Sequence, residues 1–168
     1  MQTKIVGLIP VIYQDQNLLV IDKPAGMVVN RAESVRSVSL QDLMTDVVDK
    51  NFMPTDVHSM NQFSDRNGMV HRLDKDTSGV MLWAKDSNTM LELMRQFKER
   101  HVIKSYLALV HGKIEPRVGF VQLPIARDAF FRGRFCIDPF GKSAFTDYHV
   151  VDWINSSIRD QIRWYSLL

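Results

Sequence analysis

Apolar residues in this chain are collected in short runs, and this pattern restricts the fold more than any other feature of the sequence. Runs rich in β-branched and large apolar residues occupy 11–13, 18–22, 79–84, 102–110, 120–123 and 144–153. Short runs of this kind, bounded by turn-forming residues, are typical of strands. None approaches the roughly 18 apolar residues that span a bilayer, so we expect a cytoplasmic protein with no membrane partner.

Two segments show helical spacing instead. Leucine and valine side chains recur at this spacing in 40–48, and a second apolar stripe, formed by Met90, Leu91, Met94 and Phe97, follows two possible caps, Asp86 and Ser87. The intervening run at 79–84 is continuously apolar, which predicts a strand buried on both faces. Because strands and helices are interspersed without a regular βαβ rhythm, the sequence predicts an α+β fold with a mixed, largely antiparallel sheet and flanking helices.

Length and composition exclude several classes of protein. The chain has 168 residues, close to one domain, and its 45% hydrophobic and 24% charged content is that of a globular protein rather than a disordered or fibrous one. Cys136 is the single cysteine, so the chain forms no internal disulfide and lacks the thiols of a zinc site. This cysteine usage favours a reducing compartment.

Charge is unevenly distributed along the chain. Residues 1–84 carry eight basic and ten acidic side chains, whereas residues 85–168 carry 13 and nine, so the two halves have net charges of −2 and +4. Within 94–134 nine basic side chains stand against three acidic ones. Such a stretch is either a solvated face or a surface that contacts phosphates.

One polar segment between two apolar runs holds the candidates for chemistry. Residues 71–79 read H-R-L-D-K-D-T-S-G. His71, Asp74 and Asp76 are the candidates for acid–base or nucleophilic work, and Arg72 could hold a neighbouring aspartate ionised. The alternative is a charged turn whose polar side chains only cap backbone amides. The residue types alone leave both interpretations open.

Residues 71–79 resemble the signature of the RluA-type pseudouridine synthases, which is H-R-L-D, two variable residues and T-S/T-G. Three further stretches follow the order of that family. Residues 11–26 resemble its opening hairpin and end in K-P-A-G, like its K-P-x-G turn. Residues 104–112 resemble its K-x-Y-x-A-x-V-x-G strand, and 124–127 with 141–148 resemble its P-I and G-K-x-A-x-T-x-Y segments. The resemblance implies the pseudouridine synthase catalytic-domain fold.

The resemblance also implies a reaction, the isomerisation of uridine to pseudouridine in RNA without a cofactor or a metal. Asp74 matches the essential aspartate of the family, which can attack as a nucleophile or remove a proton as a base. Tyr106 matches the active-site tyrosine, although a core strand aromatic is the alternative for this residue. His71 is left outside the catalytic set because a partly buried histidine is more often structural.

A uridine in folded RNA must leave the base stack before it can react. Arg72 is the candidate to fill the gap, since its planar guanidinium can stack on bases and contact phosphate; the alternative is an arginine paired with an aspartate. The basic stretch would then position ribosomal or transfer RNA through phosphate contacts, and no protein partner is implied. The residues expected to make those contacts are Lys104, Arg127, Arg132 and Arg134.

The chain departs from the family pattern at both ends. In the family a G-R-T/S-H-Q-I/L-R motif follows, and the chain stops just short of it; the optional N-terminal RNA-binding domain is also absent. We therefore expect a single catalytic domain, residues 1–168, truncated before that motif. Two other hypotheses remain, a catalytically silent RNA-binding module or inactive fragment of such an enzyme, and an unrelated α+β domain without an RNA partner.

Overall fold

The computed structural model of the chain describes residues 9–31, 38–47, 65–131, 133–158 and 161–168. It contains two compact units, Met1–Ile103 and Lys104–Leu168. No helix in these described ranges is long and apolar enough to cross a membrane.

The described residues of the first unit include an antiparallel sheet and two helices that begin within them. Its strands are β1 (Val11–Gln14), β2 (Leu18–Lys23) and β3 (Gly79–Ala84), in the order β1-β2-β3, and its helices are α1 (Leu40–Leu43), continued by a 3₁₀ turn (Met44–Asp46), and α2 (Ser87–Lys98). The predicted hairpin of β1 and β2 is confirmed. Asp15 closes it, because its carboxylate accepts hydrogen bonds from the amides of Asn17 (2.8 Å) and Leu18 (2.7 Å).

Both helices begin at side-chain caps. Ser39 and Asp42 form a capping box on α1, in which each side chain accepts a hydrogen bond from the other's backbone N–H. Asp86 caps α2 by accepting from the Thr89 amide at 2.9 Å. Helix α2 confirms the second predicted helix. The first is shorter than its apolar spacing suggests, since α1 tightens into the 3₁₀ turn at Met44.

The core of the first unit lies between its sheet and its helices. Its fully buried side chains include Ile21, Leu40, Met81, Trp83 and Met90. Leu93, Met94 and Phe97 of α2 pack against this cluster.

Strand β3 does not bury both faces over its whole length as predicted. Met81 and Trp83 are fully buried, but Val80 is 57% exposed. Val80 pairs with Asp22, which is also exposed, at the end of β2. Because paired residues project from the same face of a sheet, that face is open to solvent at this end of the strand.

The second unit consists of strands within its described residues. They are β4 (Leu109–His111), β5 (Val118–Gln122), β6 (Ile125–Arg127), β7 (Phe135–Ile137), β8 (Phe145–His149), β9 (Asp152–Ile158) and β10 (Gln161–Leu167), arranged as the antiparallel sheets β4-β10-β9, β5-β8 and β6-β7. The α+β class is confirmed. Several small sheets replace the single sheet that was expected, and every described strand pair is antiparallel.

Strand lengths in the second unit differ from the prediction. The run at 102–110 yields only β4 at its end, and the run at 144–153 is divided between β8 and β9. The division falls where the chain changes partners. Val150 N donates to the carbonyl of Arg117 at 2.7 Å, just before β5, whereas Val151 N donates to Leu167 O at 2.8 Å in β10.

Gly68 is the position where the chain comes closest to β3. Its φ is +80°, and a Cβ there would overlap the carbonyl oxygen of Ala84. Gly26 has a similar φ of +83°, but a Cβ on it would meet open space.

Gly26→Ala should therefore cost about 1–2 kcal/mol of unfolding free energy, the penalty of a left-handed backbone alone. Gly68→Ala should cost more, and hydrogen exchange of the β3 amides measures both; equal losses would contradict the close approach.

Candidate active site

The H-R-L-D segment lies along the free edge of β3. Met69 forms an isolated antiparallel bridge with Trp83, and the chain then runs through the segment to Gly79, where β3 begins. A turn reverses its direction at Asp74, whose carbonyl accepts from the Thr77 amide at 3.2 Å. The motif is therefore held on a rigid sheet and not on an independent loop.

The carboxylates of this turn face solvent. Asp74 and Asp76 are both exposed, and within the described part of the chain neither carboxylate accepts a hydrogen bond or forms an ion pair. A backbone hydrogen bond closes the turn, so the interpretation of the aspartates as capping groups finds no support in these residues. Both side chains are accessible to a ligand.

A buried lysine anchors the turn to β2. The side chain of Lys23 is fully buried, and its Nζ donates to the carbonyls of Pro24 (2.9 Å), Met27 (3.0 Å) and Lys75 (3.0 Å). The amide of Gly26 also donates to Lys75 O, at 2.8 Å. The ammonium thus uses all three of its donors, and it joins the K-P-A-G turn to the turn that carries Asp74.

Electrostatics at Lys23 have two opposing components. Burial lowers the pKa of the Lys23 ammonium, and the carboxylates of Asp76 and Asp74 act against this shift by favouring the charged form. The two aspartates therefore lie within electrostatic range of a cation that is itself excluded from solvent.

His71 has a structural environment, as expected for a residue outside the catalytic set. Its Nε2 accepts a hydrogen bond from the Leu82 amide at 3.0 Å, and its ring stacks on Phe97 with centroids 4.7 Å apart. The imidazole thereby satisfies a donor on the free edge of β3.

Arg72 lies beside His71 and is more exposed. It is exposed, and it forms no ion pair with the described residues, so its interpretation as an arginine paired with an aspartate finds no partner among them. It lines a cavity of about 660 Å³. The other lining residues are Asn30, Arg31, Gln41, Asp65, Arg66, Met69 and His71.

The other predicted site residues lie in the second unit. Tyr106 is 59% exposed and precedes β4, so the alternative of a core strand aromatic is wrong. Lys104 is also exposed.

The β6–β7 hairpin brings two of the predicted RNA contacts together. Arg127 lies over the ring of Phe135 at 5.0 Å, and Arg134 lies over Phe131 at 5.5 Å. Asp128 N donates to Arg134 O at 3.0 Å where the hairpin opens. Arg132 lies outside the described residues.

Some residues around these sites were missed from the sequence. Lys23 is part of the K-P-A-G turn, and only that resemblance could have singled it out. Arg31 and Arg66 carry no motif of their own and meet Arg72 only through the fold. In the second unit Lys113 and Arg117 lie over the Trp153 ring at 4.5 and 4.0 Å. No spacing pattern in the sequence predicts this cluster.

Comparison with known proteins identifies the class. The family described as RNA pseudouridylate synthase matches residues 17–159. A protein of Aquifex aeolicus described as an uncharacterized RNA pseudouridine synthase is 37% identical over 143 residues, which cover 85% of this chain and 43% of that protein. The ribosomal large subunit pseudouridine synthase D of Nitrosomonas europaea is 36% identical over 148 residues, which cover 88% of this chain and 40% of that protein.

The chain belongs to the RNA pseudouridylate synthase family, and its predicted resemblance to the RluA-type enzymes is confirmed. It spans less than half the length of these relatives. The solved structure of human RNA pseudouridylate synthase domain containing 1 matches 99% of this chain and 61% of its own, with a TM-score of 0.64 and 24% identity. At that identity the likeness is one of fold.

The Lys23 anchor predicts a specific loss of stability. Lys23→Met removes three hydrogen bonds and leaves the carbonyls of Pro24 and Met27 without that donor, so unfolding free energy should fall by about 2–4 kcal/mol. Lys75→Met is the matched control, since Lys75 is exposed on the anchored turn and its loss should cost under about 0.5 kcal/mol. Hydrogen exchange of β2 and β3 amides measures both, and equal losses would contradict the anchor.

Proposed function

We propose that this chain carries the uridine-isomerising site of an RNA pseudouridine synthase, with Asp74 as its central residue. The observation that carries the proposal is an exposed aspartate within the H-R-L-D motif, on a turn anchored by a buried ammonium. The family match supports it, because it spans residues 17–159 and so runs through both units. We infer on the same ground that residues 1–168 form one catalytic domain, as expected from the sequence.

The proposed reaction moves the uracil ring without changing its composition. The bond between C1′ of the ribose and N1 of the base breaks, and a bond between C1′ and C5 forms. The hydrogen on C5 leaves as a proton, and N1 gains one, so no electrons are exchanged and no cofactor is required. The Asp74 carboxylate serves this reaction either as the nucleophile or as the base that accepts a proton.

Two further side chains are proposed to act on the reacting nucleotide. Tyr106 packs on the uracil and donates a hydrogen bond from its hydroxyl; its exposure in the second unit supports this role. Arg72 stacks in the gap that the flipped uridine leaves. Its exposed guanidinium, without an ion pair among the described residues, is consistent with that task.

The proposed substrate is structured RNA, and ribosomal RNA of the large subunit is the first candidate. Several relatives are named ribosomal large subunit pseudouridine synthase D, and that substrate would make the enzyme cytoplasmic. Basic side chains of the second unit would contact phosphates without reading sequence. These are Lys104, Arg127, Arg132 and Arg134.

The two aspartates of the motif turn provide a matched test. Asp74→Asn should reduce pseudouridine formation at least about 1,000-fold, because an amide cannot act as the nucleophile or the base. Asp76→Asn removes the same charge from the same exposed turn and should leave the rate near that of the wild type. Carbodiimide mapping of pseudouridine in ribosomal RNA measures both, in the 168-residue chain and in a form extended through the G-R-T/S-H-Q-I/L-R motif.

RNA binding separates the proposal from the other hypotheses. Asp74→Asn should bind RNA about as tightly as the wild type, since Asp74 contributes to chemistry and not to phosphate contacts. Pseudouridine formation by the Asp74→Asn protein would refute the proposal. RNA binding without product in either wild-type form would favour the silent RNA-binding module, and failure to bind RNA would favour an unrelated domain.

A further inference from the structure

We infer that the cavity beside Arg72 is a binding site for a phosphate group of the RNA strand, adjacent to the nucleotide that reacts. The inference rests on the proposed function and assigns the partner of a cavity whose other arginines, Arg31 and Arg66, belong to none of the motifs. Either an RNA phosphodiester or a free phosphate could bind such a lining, and the ligand assigned to it is the RNA phosphodiester.

The charges that line the cavity favour an anionic ligand. Three guanidinium side chains, those of Arg31, Arg66 and Arg72, line the same cavity, whereas Asp65 is the one carboxylate among its described lining residues. Arg31 is paired with Asp42, outside the lining. Arg66 and Arg72 form no ion pair with the described residues, so the described part of the cavity wall keeps an excess of positive charge.

The partial burial of Arg66 also favours an anionic ligand. Arg66 is half-buried, and a charged group that is partly removed from water without a counter-charge costs free energy. An anion in the cavity would compensate that cost. A guanidinium offers a planar fork of donors that matches two oxygens of a phosphate.

The cavity is also held open by a rigid scaffold. Gln41 is buried, and its side chain joins two of the cationic segments, because its Oε1 accepts from the Arg31 amide at 3.1 Å and its Nε2 donates to Asp65 O at 2.6 Å. Asn67 then donates to the carbonyl of Gln41 at 3.2 Å. One buried amide thus fixes the spacing between Arg31 and the segment of Arg66, so little conformational entropy is lost when an anion binds.

Size and position indicate the ligand. A volume of about 660 Å³ exceeds that of a single phosphate and falls in the range of small-ligand sites, so it suits a nucleotide unit whose phosphate contacts the arginines. Asn30 offers a half-buried side-chain amide in the same wall. Because Arg72 lines the cavity and lies two residues before Asp74, the bound phosphate would flank the flipped uridine.

Arg66 provides the test with the 168-residue chain. Arg66→Gln should weaken binding of a fluorescent ribosomal stem-loop about 5- to 10-fold and reduce the slope of log K against log salt by about 1. Arg163→Gln is the matched control, because it also removes one exposed guanidinium and Arg163 lies outside the basic stretch of residues 94–134; it should change affinity less than about twofold. Arg66→Lys keeps the charge but loses the fork, so it should retain the salt slope at an intermediate affinity.

The outcomes distinguish this inference from the proposed function. If Arg66→Gln and Arg163→Gln weaken binding equally and the wild-type chain binds RNA, the phosphate site is wrong and the proposed function stands. If the wild-type chain does not bind RNA, both fail. Weaker binding by Arg66→Gln than by Arg163→Gln, with an intermediate affinity for Arg66→Lys and all three variants folded by circular dichroism, supports the site.

A second experiment distinguishes an RNA phosphodiester from free phosphate as the ligand of the cavity. The NMR resonance of the Arg66 side-chain Nε–H should shift to saturation with the stem-loop but not with inorganic phosphate, which lacks the neighbouring contacts of a strand. Saturation by inorganic phosphate below about 1 mM would assign the cavity to a free phosphate ligand and overturn the RNA assignment.

Discussion

The ammonium of Lys23 is the contact on which the geometry of the first unit's site depends. Removing a lysine charge from water costs several kcal/mol, and this cost is offset because three carbonyls accept hydrogen bonds from the ammonium. Two of them belong to the turn after β2 and the third to the turn that carries Asp74. The same group therefore completes the end of the sheet and fixes the motif against it. A neutral side chain of similar length could fill the space but could not join the two turns.

Successive residues of the H-R-L-D segment serve different surroundings. His71 satisfies an amide on the free edge of β3, Arg72 faces the cationic cavity, Leu73 packs on the core and Asp74 is exposed. Core packing of Leu73 thus restrains the polar residues on either side of it.

Local patterns predicted much of the fold. The hairpin at Asp15 and helix α2 at Asp86 are set by turn and cap residues close in sequence, and both were predicted. The limits of the strands in the second unit were not predicted, because the break at Val150 depends on which distant carbonyl accepts a hydrogen bond from each amide. The candidate site shows the same contrast between local pattern and tertiary structure. Asp74 could be identified as a candidate from its motif, whereas the proximity of Arg66 to Arg72 arises from tertiary structure.

The site proposed for this chain joins C1′ of a uridine to C5. That bond can form only if the hydrogen on C5 is lost, so tritium release from ribosomal RNA labelled with [5-³H]uridine reports the reaction itself. We expect the polypeptide extended through the G-R-T/S-H-Q-I/L-R motif to release one tritium for each pseudouridine formed. An absence of release from RNA that the polypeptide binds would contradict the proposed site.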